Sequence, residues 1–257
     1  MSQELVVAFS ALIASFLSGL LGIGGGVVLT PLLLYVPQLV GAGAISVKIV
    51  TGLTVVQAIS GSAIGAWRHG GYGNISRRVV LLMGPPAAVA SLIGAVLSRD
   101  ASDSLLLVIF AVFAFLTAFF LLIPVRTADV PAADVHVRRP LAFTMAVLIG
   151  FFGGMVGIGA IAFILAALVY VLRVPTRVAI GTSLGVGMFG AVAALVGKAA
   201  TAQVDVPLAI IVVISAVIAS PLGAWVSVRT HPATLLRILA AVVALAGIRM
   251  LLSAFAV

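Results

Sequence analysis

Long apolar runs alternate with short polar breaks along this chain, and the spacing of the breaks predicts membrane-crossing helices. No charge falls within residues 5–47, 49–67, 79–97, 104–125, 141–172, 178–197 or 206–228, and 238–257 carries only Arg249. A membrane span needs about 20 apolar residues, so these runs are long enough to cross. The polar connections at 68–78, 98–104, 173–177, 198–205 and 229–237 are short. The longest, 124–140, holds three Pro, two Asp and three Arg and reads as a surface linker.

Composition agrees with the pattern. The 257 residues are 63% hydrophobic and 8% charged, whereas a soluble domain is about 25% charged. A chain this poor in polar groups does not cover itself as a soluble domain, and it is too apolar for disorder. The formal net charge is +8, from 14 Lys and Arg against 6 Asp and Glu. Basic residues beside spans set orientation. No basic cluster with interleaved aromatics points to nucleic acid. The absence of Cys excludes disulfides and thiolate chemistry. Residues 1–4 lack the positive region of a cleavable signal, so the first segment reads as retained.

The two halves repeat. Ser91–Ser98 matches Ser220–Ser227 at an offset of 129, which also pairs Gly52 with Gly181, Gly61 with Gly190, Lys48 with Arg177 and His69 with Lys198. Gly19–Gly24 matches Gly154–Gly159 at an offset of 135. The expected organisation is a first transmembrane repeat over 1–123, the linker 124–140, and a second repeat over 141–257, the duplicated construction typical of secondary transporters.

Each half opens with an uncharged 32-residue segment, 5–36 and 141–172. As one helix it would be about 48 Å long, too long for a roughly 30 Å core at ordinary tilt. Gly22, Gly24, Gly25 and Gly26 interrupt the first segment, and Gly157 and Gly159 the second. Breaks are expected there, at a depth near the middle of the bilayer, with a half-helix starting at Val27. If each segment turns back rather than crossing, 10 of the 14 Lys and Arg fall on one side and 4 on the other; if each crosses, the division is 8 against 6. The positive-inside rule favours the re-entrant version. The predicted fold is therefore an all-α polytopic membrane protein. Each repeat would have a re-entrant, glycine-broken segment and three transmembrane helices, with the repeats inverted and both termini outside.

The chemistry follows from the breaks. A helix that starts inside the membrane exposes unpaired N–H groups with partial positive charge, which suits an anion. The amides around Gly24, Gly25, Gly26, Gly157, Gly159 and Ala160 are the candidate site, together with Thr54, Gln57, Thr182 and Ser183. Lys48, His69, Arg177 and Lys198 are candidate basic or gating residues. The competing readings are close helix packing at the glycines, helix–helix bonding by Ser and Thr, and interfacial anchoring by the basic residues; Arg249 reads as snorkelling outward. All six acids, Glu4, Asp100, Asp103, Asp129, Asp134 and Asp205, sit at span ends or in loops. That argues against a carboxylate-based cation carrier, a metal site or a hydrolase. No cofactor is expected. An intramembrane enzyme and a non-transporting scaffold remain as other classes, and oligomeric state is left open.

Gly22-Ile-Gly-Gly-Gly26 followed by Pro31, Gly181-Thr182-Ser183-Leu184, and His69-Gly-Gly-Tyr-Gly73-Asn74-Ile75 together resemble the TauE/SafE family across nearly the whole chain. The resemblance implies a multi-pass permease of the bacterial inner membrane, with no enzymatic activity. It implies export of a small sulfur-containing anion such as sulfite, sulfoacetate or a related organosulfonate, by alternating access. An importer of sulfate, thiosulfate or a carboxylate, coupled to an ion, is the alternative. The second half departs from the motif: Ala160 and Ala166 stand where the first half has Gly25 and Pro31, so the two breaks need not bind ligand equally.

Overall fold

A computed structural model describes residues 2–21, 24–70, 75–123, 131–157, 160–227 and 232–254, without the side chains at 21, 64–70, 121–122, 177, 224, 227, 232–239 and 242. Gly22, Gly159, the His69 and Arg177 side chains and most of the linker lie outside that description. The described residues form helices and no strand: α1 (Gln3–Leu21), α2 (Gly26–Leu39), α3 (Val47–Gly70), α4 (Arg77–Leu97), α5 (Asp103–Leu122), α6 (Arg139–Val156), α7 (Ile161–Ala166), α8 (Thr176–Ala200), α9 (Val206–Ser227) and α10 (Pro232–Ala254). A π-helical stretch, Ala167–Val171, continues α7. Six of these helices, α1, α4, α5, α6, α8 and α9, are long and apolar enough to cross a membrane. Phe9, Leu81, Val89, Phe119, Phe143, Ile214 and Val217 are exposed on them, as suits lipid contact. The protein is a multi-pass, all-α membrane protein.

Both long segments are broken at the glycines, but later than a break at half depth would fall. The first arms, α1 and α6, have 19 and 18 residues, or about 27–29 Å of helix. The returning arms are shorter: 14 residues in α2, and six in α7 before the π-helical stretch. α1 is described as far as Leu21, and residues of positive φ stand at Gly24 and Gly25 before α2 begins.

Glycine contacts give the directions of the helices. A Cβ on Gly150 would meet Ala87, one on Gly154 would meet Ser91, and one on Gly94 would meet Phe151, so α4 and α6 run parallel. Gly185 against Val80 and Gly197 against Leu92 and Ala95 make α8 parallel to α4 as well. Ser215 bonds Ala8 O and Gly223 packs on Phe16, so α1 runs parallel to α9. The second broken segment thus starts and finishes at the end of the bundle where α4 begins. At the opposite end, Gly52 near the start of α3 lies against Gln203, which precedes α9 and bonds Ser98 at the close of α4. The first broken segment starts and finishes there.

Several contacts occur twice. A Cβ on Gly94 would lie 2.0 Å from Phe151 O, and one on Gly223 would lie 1.9 Å from Phe16 O; Gly94 and Gly223 differ by 129 positions, and Phe16 and Phe151 by 135. The Tyr170 ring meets Phe120 with centroids 4.7 Å apart, and Arg249 lies 5.3 Å over Tyr35, again a pair at these offsets. Arg249 is exposed and lies over the Tyr35 ring. In each case the broken segment of one half packs on helices of the other half, so the two halves interlock.

Candidate functional site

The first tip is built by α1, α2 and α3. Gly25 caps α2 with φ +69, and Gly24 before it has φ +80. The amide of Gly26 bonds Gly24 O at 2.9 Å, and those of Val28 and Leu29 bond Gly25 O at 3.0 and 2.9 Å. The amides of Gly25 and Val27 are left without a bond among the described residues. Ser18 of α1 and Gln57 of α3 crowd this cap: a Cβ on Gly25 would sit 2.9 Å from Gln57 Nε2 and 3.1 Å from Ser18 Oγ. Gln57 is fully buried; its Nε2 donates to Ser15 Oγ at 2.8 Å, while its Oε1 has no partner. Gly61 closes the tip, since a Cβ there would lie 3.0 Å from Ser18 Oγ and 3.3 Å from Gly24 Cα. The result is a buried helix start facing uncharged polar side chains.

The second tip has a similar backbone and different surroundings. Gly157 closes α6 with φ +77, and Ala160 opens α7 with φ +52. The amides of Phe163 and Ile164 bond Ala160 O at 3.0 and 2.9 Å, as those of Val28 and Leu29 bond Gly25 O. The position of Ser18 is taken here by Gly153, whose Cβ would fall 2.5 Å from that of Ala160, and the position of Gln57 by Val186. The tips meet where a Cβ on Gly24 would strike Ile161 Cδ1 at 2.3 Å.

Beside the second tip lies a buried cation. Lys198, with no exposed surface, shares the three hydrogens of its Nζ among four acceptors, Thr51 Oγ1 at 2.8 Å, Ser98 Oγ at 2.7 Å, Met155 O at 2.9 Å and Gln203 Oε1 at 2.9 Å. The Thr51 hydroxyl donates onward to Lys48 O and the Ser98 hydroxyl to Ala95 O, so every atom around Nζ offers a lone pair. Such a cage suits an ammonium, because a neutral amine would need a donor for its own lone pair. No carboxylate bonds Lys198 among the described residues. The cage ties α3, α4, the last turn of α6, α8 and the turn before α9.

The other expected residues fall in varied places. Thr54 bonds Thr51 O at 3.0 Å and Ser183 bonds Ile180 O at 2.9 Å, both within their own helices. Thr51, Thr54, Gln57 and Gly61 form a stripe at helical spacing along α3, from the lysine cage to the first tip. Thr182 Oγ1 accepts from Ser76 N at 3.0 Å near the start of α4. Gly26 is the first residue of α2, and its carbonyl takes the Thr30 hydroxyl at 2.8 Å. Lys48 Nζ bonds the carbonyl of Arg99 past the end of α4, a helix-end contact rather than one at either tip. Sequence reasoning missed Ser15, Ser18, Ser98 and Gln203. Ser15 and Ser18 carried a signal, two hydroxyls one turn apart just before the glycine break; Gln203 carried none. No group of three His, Asp or Glu stands close enough to hold a metal among the described residues.

Residues 7–250 match the family model described as "Sulfite exporter TauE/SafE". A protein of Xylella fastidiosa strain 9a5c named "Probable membrane transporter protein" is 31% identical over 199 residues, covering 75% of this chain and 74% of that one. Proteins with similar names from Bacillus subtilis and Methanocaldococcus jannaschii are 23% and 24% identical, covering 96% and 93% of this chain and 96% and 92% of their own. No solved structure gives a significant match. A family match over almost the full length, on a polytopic helical scaffold with glycine-broken segments, makes this chain a membrane transporter and a member of the TauE/SafE family.

Proposed function

We propose that the protein exports a small sulfur-containing oxyanion, such as sulfite, sulfoacetate or a related organosulfonate, by alternating access. The observation that carries this reading is the buried start of α2, where the Gly25 and Val27 amides have no bond among the described residues and the Ser18 and Gln57 neighbours are polar but uncharged. An oxyanion entering the membrane must replace its lost water with donors, and a helix start supplies them together with a favourable dipole. Lys198 adds a positive charge at the other end of the α3 stripe, with no carboxylate bonded to it among the described residues. Gly24, Gly26, Thr54, Gly157, Gly159, Ala160, Thr182 and Ser183 complete the lining of the pathway in this reading, with His69 and Arg177 as basic residues along it.

The contacts made twice, with the broken segments entering from opposite ends, support a duplicated and inverted repeat, 1–123 and 141–257. The end bearing the starts of α4, α6 and α8 has more Lys and Arg, which by the positive-inside rule faces the cytoplasm of a bacterial inner membrane. An anion leaving a negative interior moves downhill by about 2.3 kcal/mol per charge per 100 mV, so export requires no coupling ion. Because the halves interlock, the moving bodies are packed groups of helices drawn from both, rather than one sequence half rocking against the other.

The test is efflux of labelled sulfite and sulfoacetate from proteoliposomes held negative inside. Saturable, protein-dependent efflux of either anion is expected. Flux no greater than in empty liposomes overturns the substrate class, and uptake driven only by a proton or sodium gradient replaces export with coupled import.

A further inference from the structure

The two tips invite the assumption of two equivalent anion sites. We infer instead that one anion binds per chain, at the first tip alone, and that Gln57 is the residue that selects it. This rests on the transport reading above and deepens it.

Two independent observations mark the first tip. The start of α2, a helix of 14 residues, presents the amides of Gly25 and Val27, which have no bond among the described residues. Gln57, with no exposed surface, packs against that cap and leaves one atom of its amide unpaired. That atom is the carbonyl oxygen Oε1, an acceptor, and leaving it buried without a donor is costly, on the order of 1–3 kcal/mol; an oxyanion cannot supply that donor while the amide keeps this orientation. A half-turn of the Gln57 amide lets the Ser15 hydroxyl donate to Oε1 and frees both Nε2 hydrogens. The tip then offers donors from two backbone amides, from Gln57 and from the Ser18 hydroxyl. Such a set fits a compact oxyanion with two or three acceptor oxygens.

The second tip offers none of the side-chain donors. Gly150, Gly153 and Val186 occupy the positions of Ser15, Ser18 and Gln57. The Ala160 methyl fills the space against Gly153, and α7 runs only six residues before the π-helical stretch. What lies beside that tip is the lysine cage, whose oxygens are already committed to Lys198.

The test measures binding of sulfite and of sulfoacetate to the purified full-length protein by titration calorimetry, with stoichiometry read from the wild type. Two variants accompany it: Gln57→Met at the first tip, and Val186→Thr, close in volume, at the second. One anion per chain is expected, with affinity at least tenfold weaker in Gln57→Met and changed less than twofold in Val186→Thr. If Gln57→Met fails to fold, Ser18→Ala takes its place with a loss of threefold or more expected, and the wild-type stoichiometry decides independently. Two anions per chain, or unchanged affinity in the first-tip variants, overturns the single site while leaving the transport reading standing. Absence of binding of either anion to the wild type overturns both.

Discussion

At the first tip Ser18 faces a glycine cap, Gly25; at the second Gly153 faces an alanine cap, Ala160. The backbone is nearly the same, with a left-handed residue opening the returning helix in each case. Only one partner in each pair carries a side chain beyond the backbone, because the arms approach too closely for two. The choice decides what the tip presents, a hydroxyl beside Gln57 in one case and a methyl beside Val186 in the other. Two tips of like backbone thus carry unlike side chains, polar groups at the first and a methyl beside the Lys198 cage at the second.

Removing the cation should have the largest effect. Lys198→Met leaves four buried oxygens without their shared donor, and breaking a buried charged network typically costs about 3–5 kcal/mol. Thermal unfolding in detergent should show a clearly lower midpoint. Lys198→Arg should not restore it, since a planar guanidinium does not fit a cage built around one nitrogen.

Gly157→Ala comes next. Its Cβ would fall 1.9 Å from Thr51 O at a φ of +77, so backbone must move; overpacking and left-handed strain together suggest a loss of about 2–4 kcal/mol. Gly41 has a φ of +70 and nothing within 4 Å, so Gly41→Ala should cost only the strain, about 1–2 kcal/mol. Equal losses in the two variants would show that the Thr51 contact contributes nothing.

The pair Gly25→Ala and Ser18→Gly bears directly on the difference between the tips. Gly25→Ala alone should destabilise, because its methyl meets Ser18 Cβ at 2.9 Å. Adding Ser18→Gly recreates the second tip's pairing and should recover roughly 1–2 kcal/mol of that loss as a coupling between neighbours. The double variant should fold and yet bind sulfite weakly. Tight binding by it would mean that the hydroxyl is irrelevant. The smallest change is expected for Ala160→Gly. Relief of about 1–2 kcal/mol of left-handed strain is offset by the roughly 0.5–1 kcal/mol entropy cost of glycine. A small rise in melting temperature is the expected result.

Much of this architecture is legible in the sequence, for physical reasons. Spans are visible because lipid demands uncharged runs, and the break at Gly24–Gly25 because a left-handed turn favours glycine. The second break is only half visible: Gly157 announces it, but Ala160 does not read as a left-handed residue. Gln57 stands out as an amide in an apolar run. The lysine cage is invisible, because Thr51, Ser98, Met155 and Gln203 converge only after α3, α4, α6 and α8 have packed. The interlocking is hidden too, since the offsets 129 and 135 reveal a repeat without revealing which half each hairpin packs on.

The central claim, that the start of α2 holds the transported oxyanion, is tested most directly by locating bound selenite, an anomalously scattering analogue of sulfite, in crystals of the protein. The account predicts one selenium peak within hydrogen-bonding reach of the Gly25 and Val27 amides and the Gln57 side chain. A peak at the Lys198 cage or the second tip, with the first tip empty, would contradict it.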